Sequence, residues 1–308
     1  MTELSGAARD PGVSFGEVLF ATDFSEVSAL ALPYAAAFAR RFNVTLCIVH
    51  IVPSDEYAHL TEAGRDAHLA AMRRRAEERV AGLLRIAHLQ GVRHHLLFDH
   101  GDILAALDRV VQQRNPGLIV LGMHGRHGLE KLLLGSLAEE ILRLASVPVL
   151  VICPEVAVAP EAEVHVNHIV HLVDFSQSSR RALDYAALLA RQWNARLTLL
   201  HITEGIWNAP RATHMPAAEY LRLRLREQGW LGDLEGLSVD FVVEFGSAED
   251  RVLQAARSVG AGLIVLSLPN GDYPEVSSHL PGPLAYNIAS HACCPVLVVR
   301  AAADSGSR

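Results

Sequence analysis

Residues 18–52 read VLFATDFSEVSALALPYAAAFARRFNVTLCIVHIV, and residues 169–203 read IVHLVDFSQSSRRALDYAALLARQWNARLTLLHIT. Laid on one another at an offset of 151, the two stretches match at Asp23 and Asp174, Phe24 and Phe175, Ser25 and Ser176, Tyr34 and Tyr185, Arg40 and Arg191, Asn43 and Asn194, and His50 and His201. Further along the offset falls to 145 for Gly101 with Gly246 and for Leu121 with Leu266, and is 147 for Pro148 with Pro295. Short insertions and deletions in loops account for such drift, so one folding unit is written twice. The 308 residues suit two units, each of ordinary domain length.

Each copy alternates strands with helices. In the first, the apolar run 18–20 leads into a helix that Ser25 is placed to cap, with apolar residues at Val27, Leu30, Tyr34, Ala37 and Phe38. A strand over 44–52, a polar helix over about 61–90, a strand at 96–98, a helix over 103–113 and strands at 118–121 and 147–152 follow. The second copy places strands near 168–173, 196–202, 239–244, 262–267 and 295–300. Near-continuous apolar strands separated by helices predict an α/β fold, a parallel sheet covered on both faces. Residues 154–166, a mixture of Pro, Ala and Glu without period, read as a linker between domains at 1–153 and 167–308.

Composition narrows the function. Half of the residues are apolar and a fifth charged, as in folded globular proteins. The net charge of −7 argues against a surface that binds the phosphate backbone of nucleic acid. The opening MTELSGAARDPG lacks the pattern of a signal peptide, and no apolar run is long enough to span a bilayer, so a cytoplasmic protein without membrane association is expected. Cys47, Cys153, Cys293 and Cys294 contain no C-x-x-C pair and read as reduced, mostly buried thiols. His291 beside Cys293 and Cys294 lacks the paired spacings of a zinc site, and packing at a helix end accounts for it.

In open α/β sheets, ligands sit beyond the carboxyl ends of the strands. There the first copy carries GMHGRHGLEKLLLGS, in which Gly122, Gly125, Gly135 and Ser136 follow the pattern G-x2-G-x9-G-S. Gly122 and Gly125 let backbone approach a ligand, and Gly135-Ser136 opens a helix whose free N–H groups favour phosphate. The loop lacks the terminal G-K-S/T of a Walker motif. Structural roles compete with each reading. Ser136 and Glu139 suit a capping box, Asp23 suits a turn, His124 and His127 suit exposed loop positions, and His50 and His201 suit hydrogen-bonded core histidines.

This spacing after the fourth strand, with Ala21-Thr22-Asp23 after the first, resembles the ATP-binding subgroup of universal stress proteins, over 18–152 and again over 169–299. The resemblance implies two open parallel five-stranded sheets of order 3-2-1-4-5 with helices on both faces, an adenine nucleotide alpha hydrolase-like fold. It places adenine near Asp23 and the backbone of Ile51, and ribose and phosphates over Gly122, His124, Gly125, Gly135 and Ser136. Ala21, Thr22, Met123 and Leu137 complete the implied set, and the implied ligand is ATP or another adenine nucleotide, with or without Mg.

The second copy keeps Asp174 but has Ser267, Pro269 and Asn270 where Gly122, His124 and Gly125 stand, and Gly282-Pro283 where Gly135-Ser136 stand. Pro283 can start a helix yet removes an N–H and a hydroxyl from the phosphate cradle. A regulatory stress-response protein is therefore expected, binding nucleotide in its first domain and presenting a surface to a protein partner the sequence does not name. With no evident catalytic base, binding is favoured over turnover beyond slow hydrolysis. An adenine-nucleotide-hydrolysing enzyme on the same fold and a nucleotide-free, chaperone-like scaffold are the alternatives. Val147-Pro148-Val149 and Pro295-Val296-Leu297 resemble the edge strands through which single-domain relatives pair. Their pairing within the chain would make it pseudo-dimeric, with other faces left for a homodimer.

Overall fold

Strands buried on consecutive residues, as β-strand residues 118–121 and 149–152 are, require a sheet covered on both faces. The computed structural model describes residues 15–86, 91–123, 134–153, 155–156, 164–203, 215–268 and 281–300. The first repeat comprises β1 (Glu17–Ala21), α1 (Glu26–Ala29), α2 (Leu32–Arg41), β2 (Thr45–Pro53), α3 (Glu62–Ile86), β3 (His94–Gly101), α4 (Ile103–Arg114), β4 (Leu118–Gly122), α5 (Leu134–Leu144) and β5 (Val149–Ile152). The second comprises β6 (His168–Leu172), α6 (Gln177–Trp193), β7 (Arg196–Thr203), α7 (Ala217–Glu227), β8 (Val239–Phe245), α8 (Ala248–Val259), β9 (Leu263–Leu268), α9 (Pro281–His291) and β10 (Val296–Arg300).

The strands form one ten-stranded sheet of order β3-β2-β1-β4-β5-β10-β9-β6-β7-β8. Each half has the expected 3-2-1-4-5 order with parallel pairing throughout. The two sheets are not separate, however. β5 and β10 pair antiparallel, Val149 against Val298, Leu150 against Leu297 and Val151 against Val296, so each repeat covers the other's open edge.

Because side chains alternate along a strand, the sheet divides the interior into two cores. Val18, Phe20, Leu46, Ile48, Ile169, Leu197 and Leu297 face α2 and α6, whereas Leu19, Val49, Ile119, Val170, Ile264 and Val298 face α4, α5, α8 and α9. Both cores run through both repeats. Phe15 meets the Tyr185 ring at 5.6 Å, Phe38 meets Trp193 at 4.9 Å, and the Arg41 guanidinium lies over Trp193. On the other face, α5 packs on α9, and the Cys153 thiol donates to the Ser290 carbonyl at 3.4 Å. Even the described ends of the linker are packed, with Val156, Val164 and Val166 buried.

One local expectation changes. The helix predicted to run on from Ser25 is split into α1 and α2, with Pro33 in the first turn of α2. A proline there has no N–H to bond the carbonyl four residues back, and its ring collides with that group, so a continuous helix cannot pass. Asp184 holds the equivalent place in the second repeat, where α6 runs unbroken for 17 residues.

Candidate functional site

The turn after β1 is built from its own side chains. Ser25 caps α1, its Oγ accepting from the Ser28 N–H, while the Asp23 carboxylate accepts from the Ser25 N–H at 2.9 Å. Thr22 Oγ1 accepts from the Phe24 N–H and shares a 2.8 Å hydrogen bond with Ser28 Oγ. These bonds hold Phe24 at φ 61°, a left-handed conformation costly for a residue with a side chain. His50 secures the loop from β2: its Nδ1 bonds the Thr22 carbonyl at 2.9 Å and its ring packs on Phe24. Arg79 of α3 closes over the outside, donating to the Phe24 carbonyl while its guanidinium covers the ring.

Beside this turn, where β1, β2 and β4 end, lies a cleft of about 350 Å³. Of the residues expected to bind, Ala21, Thr22, Asp23, Ile51 and Gly122 line it together. So do Ser25 of the same turn and Glu56, Met72, Ile103 and Ile141, the last four of which no motif marked because they come from four other places along the chain. Ala138 and Ile141 bring α5 to the wall, with Gly135, Ser136 and Leu137 in its first turn. The helix starts at Leu134, which puts Ser136 inside the first turn rather than at the cap, a shift of the usual size for helix ends. His124, Gly125 and His127 lie outside the described residues.

Two expected residues have other work. Met123 is buried in the core, its N–H donates to the Ile152 carbonyl, and it is not among the described residues that line the cleft. Gly122 lines the cleft, yet its missing Cβ serves packing: a Cβ there would stand 2.5 Å from the Val27 carbonyl oxygen and 2.8 Å from Ser28 Cα. The glycine thus lets α1 lie against the end of β4.

The cleft wall carries two carboxylates. Burial pushes the Asp23 carboxyl up, but hydrogen bonds from the Ser25 hydroxyl and N–H and from Ser28 outweigh it and hold the group below its usual value. Asp23 is therefore a charged acceptor, and Glu56 is a second carboxylate on the wall. α5 reaches the same cleft through Ala138 and Ile141, just beyond its N-terminal N–H groups and the positive end of its dipole. The carboxylates of such a wall suit hydrogen-bond donors.

The second repeat keeps the frame and changes the fittings. Phe175 sits at φ 62° against His201, with Arg224 of α7 over its ring. Val173 replaces Thr22, Ser267 replaces Gly122, and Asp174 Oδ1 accepts from both the N–H and the hydroxyl of Ser176, the latter at 2.5 Å. Gly282 and Pro283 lie in the first turn of α9, while Pro269 and Asn270 lie outside the described residues.

A doubly wound sheet ordered 3-2-1-4-5, with its cleft at the strand ends where that order reverses, defines the adenine nucleotide alpha hydrolase-like class of α/β proteins. The model of the universal stress protein family matches residues 14–152 and again 165–300, and the chain belongs to that family. It is 26% identical over 313 residues to a universal stress protein of Mycobacterium tuberculosis, covering 93% of this chain and 96% of that one. Universal stress protein A homolog 1 of Coxiella burnetii is 31% identical over 141 residues, 45% of this chain and 96% of its own length. The crystal structure of a universal stress protein from Archaeoglobus fulgidus superposes with a TM-score of 0.68 at 20% identity, over 92% of this chain and 98% of that one. No described helix is long and apolar enough to cross a membrane.

Proposed function

We propose that the first repeat binds ATP or another adenine nucleotide in this cleft, as the sensing element of a regulatory protein, and that the second repeat is its structural partner. The observation that carries the reading is that Asp23 and α5, the latter through Ala138 and Ile141, line one cleft. Asp23 and the backbone of Ile51 would meet the adenine edge, and Glu56 is suited to ribose hydroxyls. The N–H groups of Gly135, Ser136 and Leu137 would meet phosphate. No lysine or arginine is among the described residues lining the cleft, which favours holding the nucleotide over driving phosphoryl transfer.

Calorimetry of the full chain tests this with ATP, ADP and AMP. The wild type is expected to bind one nucleotide per chain. Asp23→Ala should weaken binding by about tenfold, as for loss of one charge-assisted hydrogen bond. Asp174→Ala should leave affinity unchanged. Gly135→Val, which narrows the approach to the helix start, should abolish it. Equal losses from Asp23→Ala and Asp174→Ala, or no binding by the wild type, would refute the assignment.

A further inference from the structure

At the opposite end of the same strands, three parallel neighbours bring unlike ligand types to one point. Leu19 of β1 is registered against Cys47 of β2, and Cys47 against His95 of β3, so Glu17, two residues before Leu19, shares their face of the sheet. One donor atom from each of Glu17, Cys47 and His95 lies within 4.8 Å of the other two. A carboxylate, a thiol and an imidazole are the donors that zinc and its neighbours in the transition series take together. Cys47 has no exposed surface, whereas the side chains of Glu17 and His95 are 16% and 35% exposed, which leaves an approach from the His95 side.

A cation already reaches this cluster from within the chain. Arg114, the last residue of α4, places Nε 3.6 Å from the Glu17 carboxylate and hydrogen-bonds His95 Nε2 through Nη2. The guanidinium is partly exposed at the end of α4, next to solvent.

We propose that Glu17, Cys47 and His95 form a binding site for a divalent transition-metal ion of the zinc type, in which the metal displaces the Arg114 guanidinium. On binding, the Cys47 S–H bond breaks, its proton passes to solvent and an S–metal bond forms. His95 Nε2 and a Glu17 oxygen supply the second and third ligands, water completes the tetrahedron, and no oxidation state changes.

The second repeat provides the internal contrast. The same three register positions hold His168, Thr198 and Asp240, and Val259 stands at the end of α8 where Arg114 ends α4. His168 bonds the Thr198 hydroxyl at 2.8 Å, and Asp240 is held by both contacts to Arg196. Without a thiol, that copy satisfies its polar groups among themselves. Thr198 also shows that the fold accepts threonine at this register position, which makes Cys47→Thr a conservative knockout.

Cobalt(II) titration of the reduced, metal-free full chain is the test, because thiolate ligation gives a near-ultraviolet charge-transfer band and tetrahedral geometry gives intense visible bands. The expected result is one equivalent bound with both features, bleached by zinc. Arg114→Ala should bind about tenfold more tightly because a competing positive charge is gone. Cys47→Thr should lose the ultraviolet band, and His95→Asn, a change at a partly exposed site, should weaken binding, with thermal melting confirming that each variant folds. Absence of the band in the wild type overturns the proposal, as does a band that Cys47→Thr retains, which would assign the metal to another cysteine such as the exposed Cys293.

Discussion

His171 shows how much a single position can differ between copies of one fold. It stands where the first repeat has Phe20, wholly buried on the same face of the sheet. Its Nδ1 bonds the Val265 carbonyl at 3.1 Å, and Nε2 has no hydrogen-bond partner among the described residues. Burial drives its pKa down from 6.5 to about 4, against the smaller opposing pull of the Val265 carbonyl and Asp174. The folded state therefore keeps His171 neutral at pH values where the unfolded chain takes up a proton. Its contribution is complete above pH 6.5 and is lost as pH falls toward 4, by roughly 3 kcal/mol over the whole interval. His171→Phe should remove that part of the acid sensitivity and raise stability near pH 5 more than near pH 7.5, as read from urea unfolding at the two pH values. An equal change at both would assign the effect to packing alone.

At the scale of elements, the glycine at the end of β4 illustrates which features were legible beforehand and which were not. The sequence marks Gly122 as a place where backbone can approach a ligand, and the structure places Val27 and Ser28 of α1 against it. What comes close is α1, and that depends on a helix axis that no spacing records. Gly122→Ala should push α1 off β4 and cost about 1–3 kcal/mol in stability, measurable as a lower melting temperature. If Gly122→Ala melts at the wild-type temperature, α1 has room to yield. The strands themselves and the turn at Asp23 can be read because both repeat in the chain and both rest on local chemistry, whereas the order 3-2-1-4-5 follows from the family resemblance. The break at Pro33 was equally local, but the apolar spacing over 27–38 masked it. Glu56, Met72 and Ile103 in the cleft, and the meeting of Glu17, Cys47 and His95, could not be read. They arise from strand register and from helices lying across strand ends, so their separations along the chain follow no motif.

For the molecule as a whole, the shared cores matter more than the repeat boundary. Phe15, Phe38 and Phe42 pack on Tyr185 and Trp193, so neither half has a complete interior of its own. Heating should give one cooperative transition with equal calorimetric and van't Hoff enthalpies, not two separate ones. Substituting Leu150 of β5 by Asp should lower that transition as a whole, because it places a charge in the core beneath the join. Two resolved transitions in the wild type would show the halves to be energetically independent.

The antiparallel seam of β5 with β10 also changes what a mutation means. In a dimer of identical chains, every substitution arrives twice, once on each side of the symmetry axis, and both sites must tolerate it. Here the two sides of the axis are encoded separately, so each inherited change falls on one side only. Val173, Ser267 and Pro283 could accumulate in one half while Thr22, Gly122 and Ser136 stayed in the other. Covalent linkage has given the molecule a sheltered copy on which selection can act without altering the first.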